Sequence, residues 1–392
     1  VSAADEPVQR TSVSEANDAV QHPNVSRSNE AAVPRSGVSE PEVVVERAGT
    51  LGRIVLNRPR AINALNHAMV QTIAATLLEW ADDDSVHAVL LTGAGERGLC
   101  AGGDIVSIYH DAREGGSGSA DFWRDEYVLN AAIARYRKPY VAIMDGIVMG
   151  GGVGVSAHGG IRVVTERSTI GMPEVGIGFV PDVGGTYLLS RAPGELGTHV
   201  ALTTARMSAG DAIACGFADH FVPSDRLPEF EEALAGGSVE DAIARFARPA
   251  PDSELAAERS WIDAAYAADS VEEIVANLRD SGVPEAAAAA EQILGKSPTA
   301  AKVTLRALRR ARGLDTLEAV LDEEYRVSLA CLQSRDLVEG IRAQVVEKDR
   351  NPAWSPPTLE EVTAEHVDRF FEPLGDAELG LGAALVSGEE QR

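Results

Sequence analysis

The chain has 392 residues, 45% of them hydrophobic and only 5% aromatic, and a formal net charge of −25. That length supports a large core and two to three domain-sized units, and the charge argues against nucleic acid or an anionic membrane as the main partner. Three scattered cysteines (Cys100, Cys215, Cys331) without a CxxC read as reduced thiols of a cytosolic or organelle-matrix protein. Eight histidines without HxxxH or HExxH spacing predict no metal site, and no run of about twenty apolar residues predicts a membrane span.

Residues 1–40 lack an apolar core and an Arg-rich amphipathic face. They read as a disordered N-terminal arm and not as a secretory signal. Ordered structure is expected from about Pro41. "EVVVER" and "RIVLN" have the β-branched content of neighbouring strands, with "AGTLG" as the turn between them. "NHAMVQTIAATLLEWADD" places Met69, Ile73, Leu77 and Trp80 at helical spacing. "VHAVLLTG" is a continuous apolar run of the kind that fills a buried parallel strand. "GERGLCAGGDI" is a glycine-rich loop entering a helix near Asp104. After a Gly/Ser linker, "REGGSGSA", comes the helix "DFWRDEYVLNAAIARYR". "PYVAIMDG" reads as a strand, "MGGGVGVSAHGG" as a glycine turn into a helix, and "IRVVTE" as a further strand. This alternation predicts a layered α/β architecture. From about Gly194 the pattern is almost wholly helical, apart from a last short strand in "ADHFVP". "SPTAAKVTLRALRRARG" is predicted to start with Ser297 as N-cap and Pro298 at the first helical position. The expected units are thus a core over 41–223, a helical region over 224–372 and a flexible tail over 373–392.

Two acids stand out in "MPEVGIGFVPDVGG". Glu174 and Asp182 each follow a proline inside an otherwise apolar, glycine-rich stretch. A carboxylate buried there is costly unless it is paired, neutralised or used. "MGGGVGVSAHGG" fits G-x-G-x-x-A loosely, but a dinucleotide fingerprint should follow its strand directly, and "IVM" intervenes. A nucleophile elbow at Ser156 would need glycine where His158 stands. The remaining reading is an oxyanion site. Glycines allow close approach of a backbone to a ligand, and N–H groups opening a helix donate to an anion. "LCAGGDI" offers a second loop of that kind, with Asp104 placed to cap the following helix.

"LNRPRAINALN", "GLCAGGDI", "DGIVMGGGVGVSAHGGIRVVTE" and "MPEVGIGFVPDVGGTYLL", in that order, resemble the crotonase (enoyl-coenzyme A hydratase/isomerase) superfamily over about residues 42–223. The resemblance implies a spiral of ββα units followed by a helical C-terminal region. It implies an oxyanion hole for a thioester made by Gly103 and Gly151. It also implies contacts to coenzyme A from Ala101, Gly102, Asp104 and Ile105, with Arg58 and Arg60 near its phosphates. Hydratases of the superfamily use two glutamates, and the first of those positions is Gly154 here. Glu174 remains, and Asp182 stands where hydratases usually carry glycine. Together with "RDEY", "KSPTAAKVTLRAL", "EEYRVSLAC" and "DLVEGIRA", this is similar to the 3-hydroxyisobutyryl-coenzyme A hydrolase family. Glu126, Gly151, Glu174 and Asp182 match that family's substrate-binding and catalytic positions. The implied activity is hydrolysis of a short-chain 3-hydroxyacyl-CoA, with Glu174 and Asp182 catalytic, no metal, and no cofactor beyond the coenzyme A of the substrate. An enoyl-CoA hydratase or isomerase and a non-catalytic CoA-binding protein are the alternatives. The resemblance leaves open a homo-oligomer or a helical tail that packs within one chain.

Overall fold

In a computed structural model, the structure describes residues 40–383. The arm expected over 1–40, Glu40 apart, and residues 384–392 of the expected tail lie outside the described residues.

The β-branched run Val43–Ala48 forms β1 and pairs antiparallel with β2, Leu51–Leu56. Only two residues connect them. Gly49 takes a left-handed φ of +63°, so the strands extend well into the predicted turn. Helix α1, His67–Ala81, starts at Asn66, whose side chain accepts from the Met69 N–H at 2.9 Å. Its predicted face, Met69, Ile73, Leu77 and Trp80, is buried. Trp80 lies so close over β2 that a Cβ at Gly52 would stand 2.5 Å from its ring.

Strands β3 (Ala88–Gly93) and β4 (Tyr140–Met144) continue the sheet in parallel. The very short β5 (Ile147–Met149) leaves it. β6 (Ile161–Val164) returns to it, and β7 (Thr169–Gly171) leaves again. β8 (Arg206–Met207) joins β5 and β7, whereas β9 (His220–Phe221) closes the large sheet, ordered β1-β2-β3-β4-β6-β9. Successive turns of the chain thus give one strand to each of two sheets, which is the expected ββα spiral. The three-residue strands β5 and β7 escape prediction because a period of two cannot be read from so few residues.

Between the strands run α2 (Ile105–Glu114), α3 (Gly118–Ala134), α4 (Gly151–Ser156), α5 (Gly185–Arg191), α6 (Leu196–Thr203) and α7 (Ala209–Ala214). The stretch expected to be a Gly/Ser linker is a tight corner. The Asp111 carboxylate accepts from the N–H groups of Gly118 at 3.2 Å and Ser119 at 2.7 Å and so starts α3 inside it.

The C-terminal helices are α8 (Leu227–Gly236), α9 (Val239–Phe246), α10 (Glu254–Tyr266), α11 (Val271–Asp280), α12 (Pro284–Leu294), α13 (Pro298–Ala311), α14 (Leu317–Leu332), α15 (Arg335–Ile341) and α16 (Ala364–Asp368). Ser297 caps α13 as expected, accepting from the Ala300 N–H at 3.0 Å. The strands read as continuous apolar runs because both faces are covered. Leu90, Val141 and Val163 pack under Phe230 and Phe246 of α8 and α9, whereas Val89 and Leu91 face the main core. Residues 374–382 were expected to be part of a flexible tail, yet they are docked. Arg124 donates to the carbonyls of Ala377 and Glu378, Arg326 pairs with Glu378, and Asp322 accepts from the N–H groups of Leu381 and Gly382.

Candidate active site

Two glycine loops meet because of strand register. Cys100 bridges Val148 in parallel, with Cys100 N–H donating to the Ile147 carbonyl at 3.1 Å and Met149 N–H to the Cys100 carbonyl at 3.0 Å. Gly103 and Gly151 each lie three residues beyond that bridged pair, one just before α2 and the other opening α4. Parallel neighbours are about 4.8 Å apart, so the two chains leave the same sheet edge side by side and turn into helices together. A Cβ built on Gly151 would stand 3.4 Å from the Gly103 amide nitrogen. Among the described residues, neither N–H donates to a protein acceptor. Gly151 opens α4 and Gly103 precedes the α2 N-cap, so two unengaged main-chain donors lie close together.

The carboxyl groups of Glu126 and Glu174 border that place, and those of Asp182 and Glu324 belong to the same buried region. Helix α3 presents Phe122, Glu126, Tyr127 and Asn130 on one buried face. A Cβ at Gly151 would lie 2.5 Å from Glu126 Oε1, and one at Gly103 3.4 Å from the Phe122 ring. Glu174 begins the 3₁₀ turn Glu174–Ile177, after Pro173. Its Oε1 lies 2.9 Å from where a Gly150 Cβ would be, and Gly150 has φ +50° and ψ −121°, so only glycine suits that corner. Asp182 Oδ2 accepts from the Tyr127 hydroxyl at 2.7 Å, which leaves Ser328 Oγ, 2.8 Å away, to donate to the tyrosine oxygen. Glu324 of α14 accepts from the N–H groups of Gly184 at 2.6 Å and Thr186 at 2.9 Å, and from the Thr186 hydroxyl. It thereby pins the turn that follows Asp182.

All these acids are buried, at 7% exposure or less. Burial, then the neighbouring Asp182, pushes the Glu126 and Glu174 carboxyls well above the usual carboxylate range. Burial also raises Asp182 to about 7, although the Tyr127 hydroxyl opposes this, and Glu324 to about 8. Desolvation therefore holds all four carboxyls toward their protonated forms, and the mutual repulsion of neighbouring acids adds to it. Glu126 Oε1 and Glu174 Oε2 have no hydrogen-bond partner. Among the described residues, no group of three or more His, Cys, Asp or Glu is arranged to hold a metal ion.

Gly154 lies on the same side of α4 as Gly151. A Cβ there would meet Val183 Cβ at 2.7 Å and Asn130 Nδ2 at 2.9 Å. The space a second glutamate would need is filled. Val183 holds a left-handed φ of +53°, unusual for a β-branched residue, and a ring nitrogen of the half-buried His158 bonds its carbonyl at 2.8 Å. His158 is thus a packed helix-end histidine, which burial lowers to about 4. Ser156 is no exposed nucleophile, since its hydroxyl donates to the Gly152 carbonyl at 2.6 Å.

Of the remaining predicted residues, Asp104 lines a cavity of about 460 Å³ together with Leu65, Asn66, His67, Ser107 and Phe122, among others, whereas Arg58, Arg60, Ala101, Gly102 and Ile105 are not part of its lining. Leu65 and Phe122 connect it to Gly103 and Gly151. Asp104 caps α2, as expected. Arg58 is a structural clamp. It pairs with Asp104 and Glu42 at 3.1 Å each and donates to the Ala64 carbonyl at 2.6 Å. Arg60 is exposed and has no ion-pair partner among the described residues. Ala101, Gly102 and Ile105 flank Gly103, the first two held by backbone bonds to Ile62 and Leu65. Sequence reasoning missed Tyr127 as the partner of Asp182, together with Ser328, Glu324 and Asn130. The hydrogen bonds of Tyr127, Ser328 and Glu324 span 55 to 201 residues of chain and so leave no local signal, and Asn130 meets the Gly154 position only through the fold.

Comparison with known proteins places the chain in a family. A family model described as enoyl-CoA hydratase/isomerase matches residues 51–371. The mitochondrial 3-hydroxyisobutyryl-CoA hydrolase of Xenopus tropicalis is 41% identical over 355 residues, 88% of this chain and 92% of that protein. The Rattus norvegicus protein of the same name is 42% identical over 349 residues, covering 86% and 90%. Among solved structures, a carnitinyl-CoA dehydratase from Mycobacterium thermoresistibile superposes with TM-score 0.85 at 58% identity, covering 87% of this chain and 98% of that one. An enoyl-CoA hydratase from Rhodobacter sphaeroides 2.4.1 superposes with TM-score 0.82 at 42% identity, covering 86% and 99%. With most of its length matched at such identities, the chain belongs to the enoyl-CoA hydratase/isomerase family.

Proposed function

We propose that the chain hydrolyses a short-chain 3-hydroxyacyl-CoA thioester, 3-hydroxyisobutyryl-CoA foremost, to the 3-hydroxy acid and coenzyme A, a step of valine breakdown. The observation that carries this reading is Glu174, whose Oε2 is unpaired, beside two unengaged main-chain donors, with the second hydratase acid replaced by Gly154 and its space closed. The two hydrolase relatives support the choice of substrate.

In this reading the thioester oxygen accepts from Gly103 and Gly151, and each donor contributes about 3 kcal/mol as the oxygen becomes anionic. Glu174 takes a proton from water while the water oxygen bonds to the carbonyl carbon. The tetrahedral intermediate then collapses, the C–S bond breaks, and the proton passes to the departing sulfur. Attack by Glu174 itself, through an anhydride that water opens, is the covalent version of the same scheme. Asp182, held by Tyr127, positions the water, and Glu126 orients the acyl group. Arg60 suits a coenzyme A phosphate better than Arg58, whose guanidinium is already engaged. No metal or redox cofactor enters the scheme. Since the relatives are mitochondrial by name, an organelle matrix or a bacterial-type cytoplasm suits the chain. No described helix is long and apolar enough to cross a membrane.

The two structurally similar proteins, named as a dehydratase and a hydratase, favour a second reading, addition or removal of water at a double bond. A panel of acyl-CoA thioesters, scored in parallel for thiol release and for hydration of crotonyl-CoA, separates the two. Hydration without thiol release refutes the hydrolase reading, and inactivity in both assays would leave a CoA-binding protein.

A further inference from the structure

Seven buried side-chain nitrogen and oxygen atoms lack a hydrogen-bond partner among the described residues, and four of them belong to Glu126, Asn130 and Glu174. That concentration points to a ligand, since buried polar atoms are otherwise almost always satisfied. Glu126 and Glu174 already have places in the proposed reaction. Asn130 does not. It is fully buried one turn beyond Glu126 on α3, and both its amide nitrogen and its amide oxygen are unpartnered. The amide nitrogen abuts the position a Gly154 side chain would occupy, with Val183 forming the adjacent wall. That wall is held in place by the His158–Val183 hydrogen bond.

A carboxamide offers one donor group and one acceptor, and a hydroxyl is its complement. We infer that the Asn130 carboxamide is a specificity-determining group that recognises the 3-hydroxyl of the acyl chain, Oδ1 accepting the hydroxyl proton and Nδ2 donating to its oxygen. This rests on the reading of the site as an acyl-CoA thioesterase and adds to it the group that selects among acyl chains. An acyl chain without the hydroxyl leaves both amide atoms unpaired in a buried site, which is the strongest form of discrimination a pocket can exert.

The test is Asn130→Leu, close in shape and unable to hydrogen-bond, with two readouts. One is kcat/KM for 3-hydroxyisobutyryl-CoA, and the other is the competitive inhibition constant of isobutyryl-CoA, which lacks the hydroxyl. The expected result is a roughly 10- to 100-fold fall in the first, with the second unchanged within twofold and no fall in Tm. An equal loss for both ligands, or no loss for either, would mean that the amide holds only structural water, and it would overturn the inference. Should the leucine variant not fold, Asn130→Ala gives the same comparison. Absence of thiol release by the wild type would refute the proposed function instead, so the two failures are distinguishable.

Discussion

Gly151→Ala is the most direct perturbation of the oxyanion geometry. The φ of Gly151 lies outside the left-handed region, so alanine meets no backbone strain there, and alanine is favoured over glycine in a helix by up to ~1 kcal/mol. The new methyl, however, would stand 2.5 Å from Glu126 Oε1 and 3.2 Å from Leu65 Cδ1, where comfortable contacts are about 3.5 Å. Something must move by about 1 Å, and the crowded space is the one that the thioester oxygen needs. Misplacement on that scale costs about 100-fold in rate, and loss of an oxyanion donor about 100- to 1,000-fold. The expected outcome is a fall in kcat/KM of about 100- to 1,000-fold, or ~3–4 kcal/mol of transition-state stabilisation, with KM changed little and Tm within a few degrees. Continuous measurement of released coenzyme A thiol with 3-hydroxyisobutyryl-CoA, alongside thermal melting, gives both quantities. A folded Gly151→Ala protein retaining kcat/KM within threefold of wild type would refute the convergence of both amides on one oxygen.

Glu174→Gln and Asp182→Asn should each lower kcat by orders of magnitude while leaving coenzyme A affinity largely intact, measured by calorimetric titration; wild-type turnover in either variant contradicts the mechanism. Tyr127→Phe removes the hydrogen bond that holds Asp182 down, so the ascending limb of the pH–kcat/KM profile should move to higher pH and the rate fall about tenfold. An unmoved limb would separate Tyr127 from the titrating cluster. Glu324→Ala leaves the Gly184 and Thr186 N–H groups unpaired in a buried turn, with an expected loss of about 2–4 kcal/mol in a denaturant titration. Stability of the unliganded protein should fall between about pH 4 and pH 8. Burial raises Asp182 from 3.8 to about 7 and Glu324 from 4.5 to about 8, so the folded state retains protons there that the unfolded chain has released. His158, held near 4, opposes that trend below about pH 6. The Asp182→Asn variant should flatten the slope, and an unchanged slope would place the titration elsewhere.

The sequence by itself determined a good deal. Local rules suffice where partners are near in the chain. The 3.6-residue period of α1, the Asp104 and Ser297 caps, and the apolar strands β3, β4 and β6 all depend on neighbours within a few positions. The two glycine loops and the isolated acids Glu174 and Asp182 are legible for a related reason, because each departs from the apolar pattern around it. Only the tertiary structure decided which groups act together. The Cys100–Val148 bridge sets Gly103 beside Gly151, α3 carries Glu126 and Tyr127 to Asp182, and α14 crosses from the far end of the chain to tie the turn at Gly184. Burial, decided by the same packing, raises the titration of otherwise ordinary carboxylates, since desolvation depends on the whole surroundings and no stretch of sequence contains it. Position 154 joins both levels: its lack of a side chain is plain in the sequence, but the filling of the vacated space by Val183 and Asn130 is visible only in the fold.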